Sequence, residues 1–165
     1  MRIHKFLMVA PVLMMSSMAF AYPMVGDTVE YKGTYKLDPN PETELVVKKE
    51  VVLYNELEKE WLVKVDKTMN GSTTTEVDDV DDEDMMTPEK VQKVLTECVA
   101  KGGTLEDLTV PAGTISTCHM KMTCEEDSKE VWIGDVPFGV VKMIKHDMED
   151  GKHKMLELQS FTLGQ

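Results

Sequence analysis

Basic residues are scarce in this sequence relative to acidic ones. The chain has 18 lysines and arginines against 30 aspartates and glutamates, a formal net charge of −12 at pH 7. Nucleic acids and anionic lipid surfaces attract proteins through clustered lysine and arginine side chains. This charge balance gives the chain no electrostatic route to either, so we expect no nucleic-acid partner.

Long apolar runs are missing too, and the longest one stands at the N-terminus. Arg2, His4 and Lys5 precede an almost wholly apolar segment over residues 6–18, and Ala19-Phe20-Ala21 is the small-x-small pattern that signal peptidase cuts. The run is shorter than the ~18 residues that a membrane-spanning helix needs. We therefore predict a signal peptide over residues 1–21, export to the periplasm or the extracellular space, and no transmembrane segment.

The predicted mature chain, residues 22–165, has the length of one domain with its own core. The signal peptide removes Arg2 and Lys5 but no acid, so 16 basic residues face 30 acidic ones and the formal charge is −14. We therefore predict a single acidic domain.

Recognisable catalytic motifs are absent from the predicted mature chain. Its histidines are His119, His146 and His153, and none lies in a nucleophile elbow, a glycine-rich phosphate loop or a zinc-protease helix pattern. The acidic run at residues 76–84 lacks the glycine and the glutamate that an EF-hand requires at fixed positions. We interpret this run as a solvated edge strand or connection. The sequence therefore does not indicate an enzyme.

Apolar residues recur at every second position over most of the chain, which is typical of β-strands. Segments of this kind are separated by turn sequences that favour hairpins: Asn70-Gly71, Val110-Pro111-Ala112-Gly113 and Asp150-Gly151. Hairpin turns join antiparallel strands, so parallel crossovers are not expected.

One segment has a helical period instead. Thr87-Pro88 suits an N-cap followed by the first helical position, and Gly102-Gly103 suits the end. Between them, apolar residues fall three or four positions apart on one stripe: Val91, Val94, Leu95 and Cys98. We predict an α+β, mainly β fold: a twisted, half-barrel-like antiparallel sheet of about seven or eight strands, with one helix (about residues 87–101) on its concave face.

Three stretches in the second half of the chain resemble a known group of proteins. They are CVAKGGTLEDLTVPAGTISTC, EVWIGDVPFGVVKM and LELQSF, within residues 98–161. They resemble small secreted bacterial proteins of unassigned function that share a Cys…GG…VPAGT…C and a VP-x-G-x-VK pattern. The resemblance implies a shared antiparallel sheet in the cell envelope, and it implies no reaction.

The three cysteines leave two possible intrachain disulfides. Four sulfur-containing residues share one face of the predicted strand after the VPAG hairpin: Cys118, Met120, Met122 and Cys124. Along that strand Cys118 and Cys124 would lie ~20 Å apart, beyond the ~5.5 Å that a disulfide tolerates, so Cys98 pairs with one of them. We predict Cys98–Cys118, because export is oxidising, the helix must cross the sheet, and the resembling proteins place cysteines at these two points. Cys124 is then interpreted as a partly buried apolar residue, or as the site of an intermolecular disulfide or redox contact.

Two candidate sites follow from the hairpins. Trp132 and Phe138 flank a turn and could line a groove for an apolar ligand, although core positions would suit them as well. If Asp150-Gly151 is a two-residue turn, His146 lies opposite Met155 and Met148 opposite His153, which brings two imidazoles and two thioethers to one face. That set suits copper(I), although methionine also commonly fills cores.

These observations leave three functional hypotheses. The leading one is an exported, non-catalytic envelope protein that needs no cofactor and binds an apolar ligand or a partner protein. The alternative is a soft-metal, copper-binding protein that uses His146, Met148, His153 and Met155. The third is a hydrolase without recognisable motifs, which a buried acid with a perturbed pKa beside His119 would favour.

Overall fold

A computed structural model describes residues 22–124 and 127–164, and the predicted signal peptide lies outside the described residues. The described chain forms ten elements in this order: β1 (Thr28–Leu37), β2 (Thr43–Asn55), β3 (Glu60–Met69), β4 (Ser72–Asp81), α1 (Pro88–Glu97), β5 (Thr104–Val110), β6 (Gly113–Thr123), β7 (Asp127–Gly134), β8 (Val140–Asp147) and β9 (Lys152–Thr162).

The strands form one open antiparallel sheet in the order β4-β3-β2-β1-β9-β8-β7-β6-β5. Consecutive strands pair through hairpins within β1–β4 and within β5–β9, and the pairing of β1 with β9 joins the two halves. The predicted mainly β, antiparallel class with one helix is confirmed. The sheet has nine strands, slightly more than predicted. The acidic run, residues 76–84, begins within β4, one of the two edge strands, and continues past its end.

Strand alternation places most of the apolar core on one face of the sheet, which we call the core face. It carries Val29 and Tyr31 of β1, Val47 of β2, Val65 of β3 and Leu156 of β9, all at most 5% exposed. The register brings them together, because Tyr31 lies opposite Val47 on one side and Leu158 on the other. Side chains at the intervening positions, such as Lys32 and Lys48, point to the opposite face and are exposed.

Helix α1 begins as its sequence indicates, but it is shorter than predicted. The Thr87 hydroxyl accepts a hydrogen bond from the Lys90 backbone N–H at 3.3 Å, and Pro88 is the first helical residue. The helix ends at Glu97, because the next residues close into tight turns in which the Gly103 N–H donates to the Cys98 carbonyl at 2.8 Å. Residues 98–101, which the predicted helix had included, therefore lie beyond its end.

A disulfide joins Cys98, at the end of α1, to Cys118 of β6 with a Cα–Cα distance of 5.7 Å. This is the pair predicted from the sequence, and both residues are almost fully buried. Gly103 packs against the bridge, where a Cβ atom would lie 2.8 Å from the Cys98 Sγ. Cys124 is a free, exposed thiol, so the interpretation of a partly buried apolar residue is wrong. Strand β6 ends at Thr123, which leaves Cys124 outside the strand.

Candidate ligand-binding cavity

A cavity of about 370 Å³ opens on the core face and lies across both halves of the sheet. Ligand pockets in proteins commonly enclose about 300–1,000 Å³, so the volume suits a small ligand. Seven apolar or aromatic side chains line it: Tyr31, Val47, Val65, Phe138, Val140, Met143 and Leu156. Six charged side chains complete it: Lys49, Lys67, Glu76, Asp78, Lys129 and Lys154.

Tyr31 lies in the floor of the cavity and is fixed there by one hydrogen bond. Its hydroxyl donates to the Val140 carbonyl at 3.0 Å, which connects β1 to the start of β8. Burial raises the pKa of the Tyr31 phenol well above its ordinary value, so the group stays neutral. The floor is therefore uncharged at its centre.

Phe138 covers one side of the cavity from the β7–β8 connection. Its backbone has a φ of +62°, in the left-handed region that residues other than glycine seldom occupy. The turn around it is closed by hydrogen bonds from the Gly134 N–H to the Gly139 carbonyl and from the Gly139 N–H to the Val136 carbonyl, both at 2.9 Å. These bonds hold the ring where the Lys49 Nζ lies 5.6 Å from its centroid.

Lysines cluster on the core face around the cavity. Lys129 of β7 lies directly opposite Lys145 of β8, which in turn lies opposite Lys154 of β9. Like charges placed directly opposite one another across strands destabilise a sheet. Lys49 and Lys67 approach from β2 and β3, and Lys67 forms an ion pair with Glu76.

Two of these lysines have lowered pKa values because of their surroundings. Burial lowers the pKa of Lys49 below its usual value, and neighbouring Lys67 lowers it further, while Asp78 and Glu76 act in the other direction. Burial also lowers the pKa of Lys154, and Lys67, Lys49 and Lys145 reinforce the shift. The cavity is therefore a place where positive charge is concentrated and partly desolvated.

The two aromatic residues predicted to line a groove are separated. Phe138 lines the cavity, whereas Trp132 is 8% exposed, belongs to the apolar core and stacks on His119 with 4.0 Å between ring centroids. The lysines of the cavity are not among the site residues predicted from the sequence. Their signal was visible as lysine at positions where the period-two pattern calls for apolar residues, as at Lys49 between Val47 and Val51 and at Lys154 before Leu156.

The predicted register of the β8–β9 hairpin is wrong. His146 lies opposite His153, and Met155 lies opposite Ile144, because the turn takes the four residues 148–151 instead of two. The Asp150 backbone N–H donates to the Asp147 carboxylate at 2.9 Å, a local bond that favours the longer turn. The two imidazoles are thus adjacent, with centroids 4.1 Å apart, while Met148 lies in the turn and is 58% exposed.

His119 lies among carboxylates on the opposite face of β6. Its Nε2 is 3.1 Å from Glu130 Oε2 and its Nδ1 is 3.7 Å from Glu106 Oε1, which also accepts a hydrogen bond from the Trp132 indole. Lys121 and His119 hold the pKa of Glu130 below its usual value. Both carboxylates are at least one-third exposed, so this is an ion-pair cluster and not the buried acid that the hydrolase hypothesis needed.

Within residues 22–124 and 127–164, no group of three or more histidine, cysteine, aspartate and glutamate side chains is arranged to hold a metal ion. Over the same ranges, no helix has the length and apolarity that crossing a membrane requires.

No family model matches this chain, and no curated protein matches it. Among solved structures, the chain is similar to a Bacteroides fragilis protein described as a candidate exported protein with a YmcC-like fold, with a TM-score of 0.45 and 11% identity over 87% of this chain and 99% of that one. It is also similar to MucB in complex with MucA(peri), with a TM-score of 0.41 and 9% identity over 85% of this chain and 50% of that one.

Proposed function

We propose that this is an exported, non-catalytic envelope protein that binds an apolar ligand in the cavity on its core face. The observation that carries the proposal is the cavity of about 370 Å³ with seven apolar or aromatic lining residues. Most of these residues lie on paired strands, which position a binding surface more firmly than loops do. Export is supported by the signal-like pattern of residues 1–21.

We also propose that the sheet is half-barrel-like and that α1 lies on its concave face. The disulfide supports this placement, because Cys118 lies on the core face with Met120 and Val131 by strand alternation. Helix α1 does not line the cavity, whose walls come from the strands and the β7–β8 connection. A ligand would therefore contact the sheet beside the helix and not beneath it.

A neutral dye tests this proposal. N-phenyl-1-naphthylamine becomes fluorescent in apolar surroundings, so we expect the purified protein, lacking residues 1–21, to bind it saturably. Met143→Trp should fill the cavity and reduce that binding at least about tenfold, because the larger side chain occupies the ligand's volume. Ile144→Trp, one residue along β8 on the opposite face, is the matched control and should leave dye binding unchanged. Equal binding by both variants, or no saturable binding at all, would contradict the proposal.

Copper binding is a second candidate function, favoured by one observation. His146 and His153 are adjacent cross-strand imidazoles, and Met155 follows on the same face of β9. Imidazole and thioether ligands accept copper(I). Competition with a colorimetric copper(I) chelator would measure binding, which His146→Asn should weaken and His119→Asn should not. Transfer of no copper(I) to the unsubstituted protein would rule the candidate out.

A further inference from the structure

Resting on the proposed function, we infer that the ligand is a single-chain amphiphile with an anionic head group. Its chain would lie on the apolar floor formed by Tyr31, Val65 and Leu156, and its head group would contact Lys49 and Lys154. This inference adds a charge, and therefore a chemical class, to the apolar ligand proposed above.

The lining of the cavity reverses the charge balance of the protein. Acidic residues outnumber basic ones 30 to 18 in the whole chain, yet four of the cavity's lining residues are lysines and only two are acids. A concave site lined by one sign of charge with apolar walls focuses the electrostatic potential inside it. The negative exterior therefore surrounds a locally positive cavity.

Lys49 and Lys154 are not neutralised by the protein itself. Lys67 pairs with Glu76, and Lys145 pairs with Asp127 at 3.4 Å. Neither Lys49 nor Lys154 has a carboxylate oxygen within 4.0 Å among the residues that the structure describes. Each of the two ammonium groups thus has hydrogen-bond donors available to an anion.

The fold has no need of a cation at either position. Lys49 stands between Val47 and Val51 on the core face of β2, and Lys154 precedes Leu156 and Leu158 on that of β9, where apolar side chains would pack without loss of hydration. Burial of the two ammonium groups opposes folding, and a bound anion would offset that effect. Lysine at two such positions is expected of a site that binds a negatively charged group.

The apolar floor distinguishes an amphiphile from a small anion. A phosphate or acetate ion would satisfy the lysines but leave the aromatic and aliphatic lining uncovered. A neutral hydrocarbon would cover the floor but leave the ammonium groups partly desolvated without a partner. A molecule that carries both parts complements both features of the cavity.

The experiment compares ligands that share one chain and differ in the head group. Dodecanoate, below its critical micelle concentration, and dodecanol, below its solubility limit, are titrated against the dye-loaded protein, and inorganic phosphate is titrated separately. We expect dodecanoate to displace the dye at about tenfold lower concentration than dodecanol, and phosphate to displace none. Lys49→Met/Lys154→Met should remove most of that preference, so that dodecanoate and dodecanol displace the dye at similar concentrations. Lys32→Met/Lys48→Met, which removes two exposed lysines from the opposite face, is the charge-matched control and should keep the preference.

The outcomes separate this inference from the proposed function. If dodecanol and dodecanoate bind equally, the anionic head group is wrong and the apolar-ligand function stands. If neither displaces the dye, or no dye binds, the proposed function itself fails. If phosphate displaces dodecanoate as effectively as dodecanol displaces it, the cavity recognises a small anion. The inference of an amphiphilic ligand is then wrong. If the control pair loses the preference as fully as the cavity pair, the effect follows net charge and the assignment to Lys49 and Lys154 is wrong.

Discussion

At the scale of single residues, the lysines of the cavity are where this chain departs most from what its fold requires. Alternation along β2 and β9 calls for apolar side chains at positions 49 and 154, and the sheet carries lysine there instead. Local choices that conflict with the fold without structural benefit are expected at functional sites. Phe138, held at a φ of +62° beside Lys49, is a second departure at the same place.

The two lysines should make the stability of the protein depend on pH. Their pKa values are lowered in the folded state from the ordinary 10.5. At pH values between the lowered pKa and 10.5, the unfolded chain binds more protons than the folded one. The free energy of unfolding therefore increases as pH rises, because of these two groups. We expect Lys49→Met/Lys154→Met to be more stable than the unsubstituted protein at pH 7, and this advantage to shrink as pH approaches 10.5.

Urea unfolding at several pH values measures that difference. The charged groups around the pair, Lys67, Lys145, Glu76 and Asp78, are unchanged in the variant. Lys32→Met/Lys48→Met has the same change in charge and should show no comparable stabilisation at pH 7. A cavity variant that is less stable at pH 7, or whose advantage grows with pH, would show that the lysines contribute to the fold.

At the scale of elements, α1 and its disulfide act as one unit. The helix has ten residues, a length that is marginal in water by itself, and only Val91 within it is buried. Its attachment to the sheet therefore relies on the Cys98–Cys118 bridge at its C-terminal end and on contacts with β6 and β7. The bridge fixes the end of an element that has little buried surface of its own.

Loss of the bridge should destabilise the protein measurably. The disulfide closes a loop of 20 residues, for which the chain-entropy model gives about 3 kcal/mol. We expect Cys118→Ser to lower the free energy of unfolding by about 2–4 kcal/mol and to speed amide exchange in α1 before the central strands. Cys124→Ser, which changes only an exposed free thiol, is the control and should stay within about 0.5 kcal/mol. Equal stability of both variants would mean that the bridge does not hold the helix.

The sequence predicted the elements better than their registers. Period-two alternation located the strands, and Thr87-Pro88 located the start of α1, because these signals are local. The β8–β9 register depends on which residue takes the left-handed conformation and on a bond from Asp150 to Asp147, and Asp-Gly alone does not determine that choice. The cavity depends on β1 pairing with β9 across the whole chain, which no local pattern encodes, so its lysines could be noticed in the sequence but not brought together.

At the scale of the whole molecule, the open sheet has two edges, β4 and β5, which present unpaired backbone groups. Edge strands of this kind pair with other chains unless charge or shape prevents it. Strand β4 carries Glu76, Asp78, Asp79 and Asp81, and its exposed Val77 lies among them. The acidic residues of this edge thus repel an identical edge on a second molecule, and the high negative charge of the chain as a whole acts in the same direction.

Removing part of that charge should cause self-association. We expect Asp79→Thr/Asp81→Thr to form concentration-dependent dimers or larger species, because threonine favours strand pairing and the variant loses two repelling charges at the edge. Size-exclusion chromatography with light scattering over a range of protein concentrations measures the mass. Glu44→Thr/Glu50→Thr makes the same change in net charge on β2, an interior strand that pairs with both β1 and β3, and it should leave the mass unchanged. Association of both variants to the same extent would assign the effect to net charge, and association of neither would show that the acidic residues do not protect this edge.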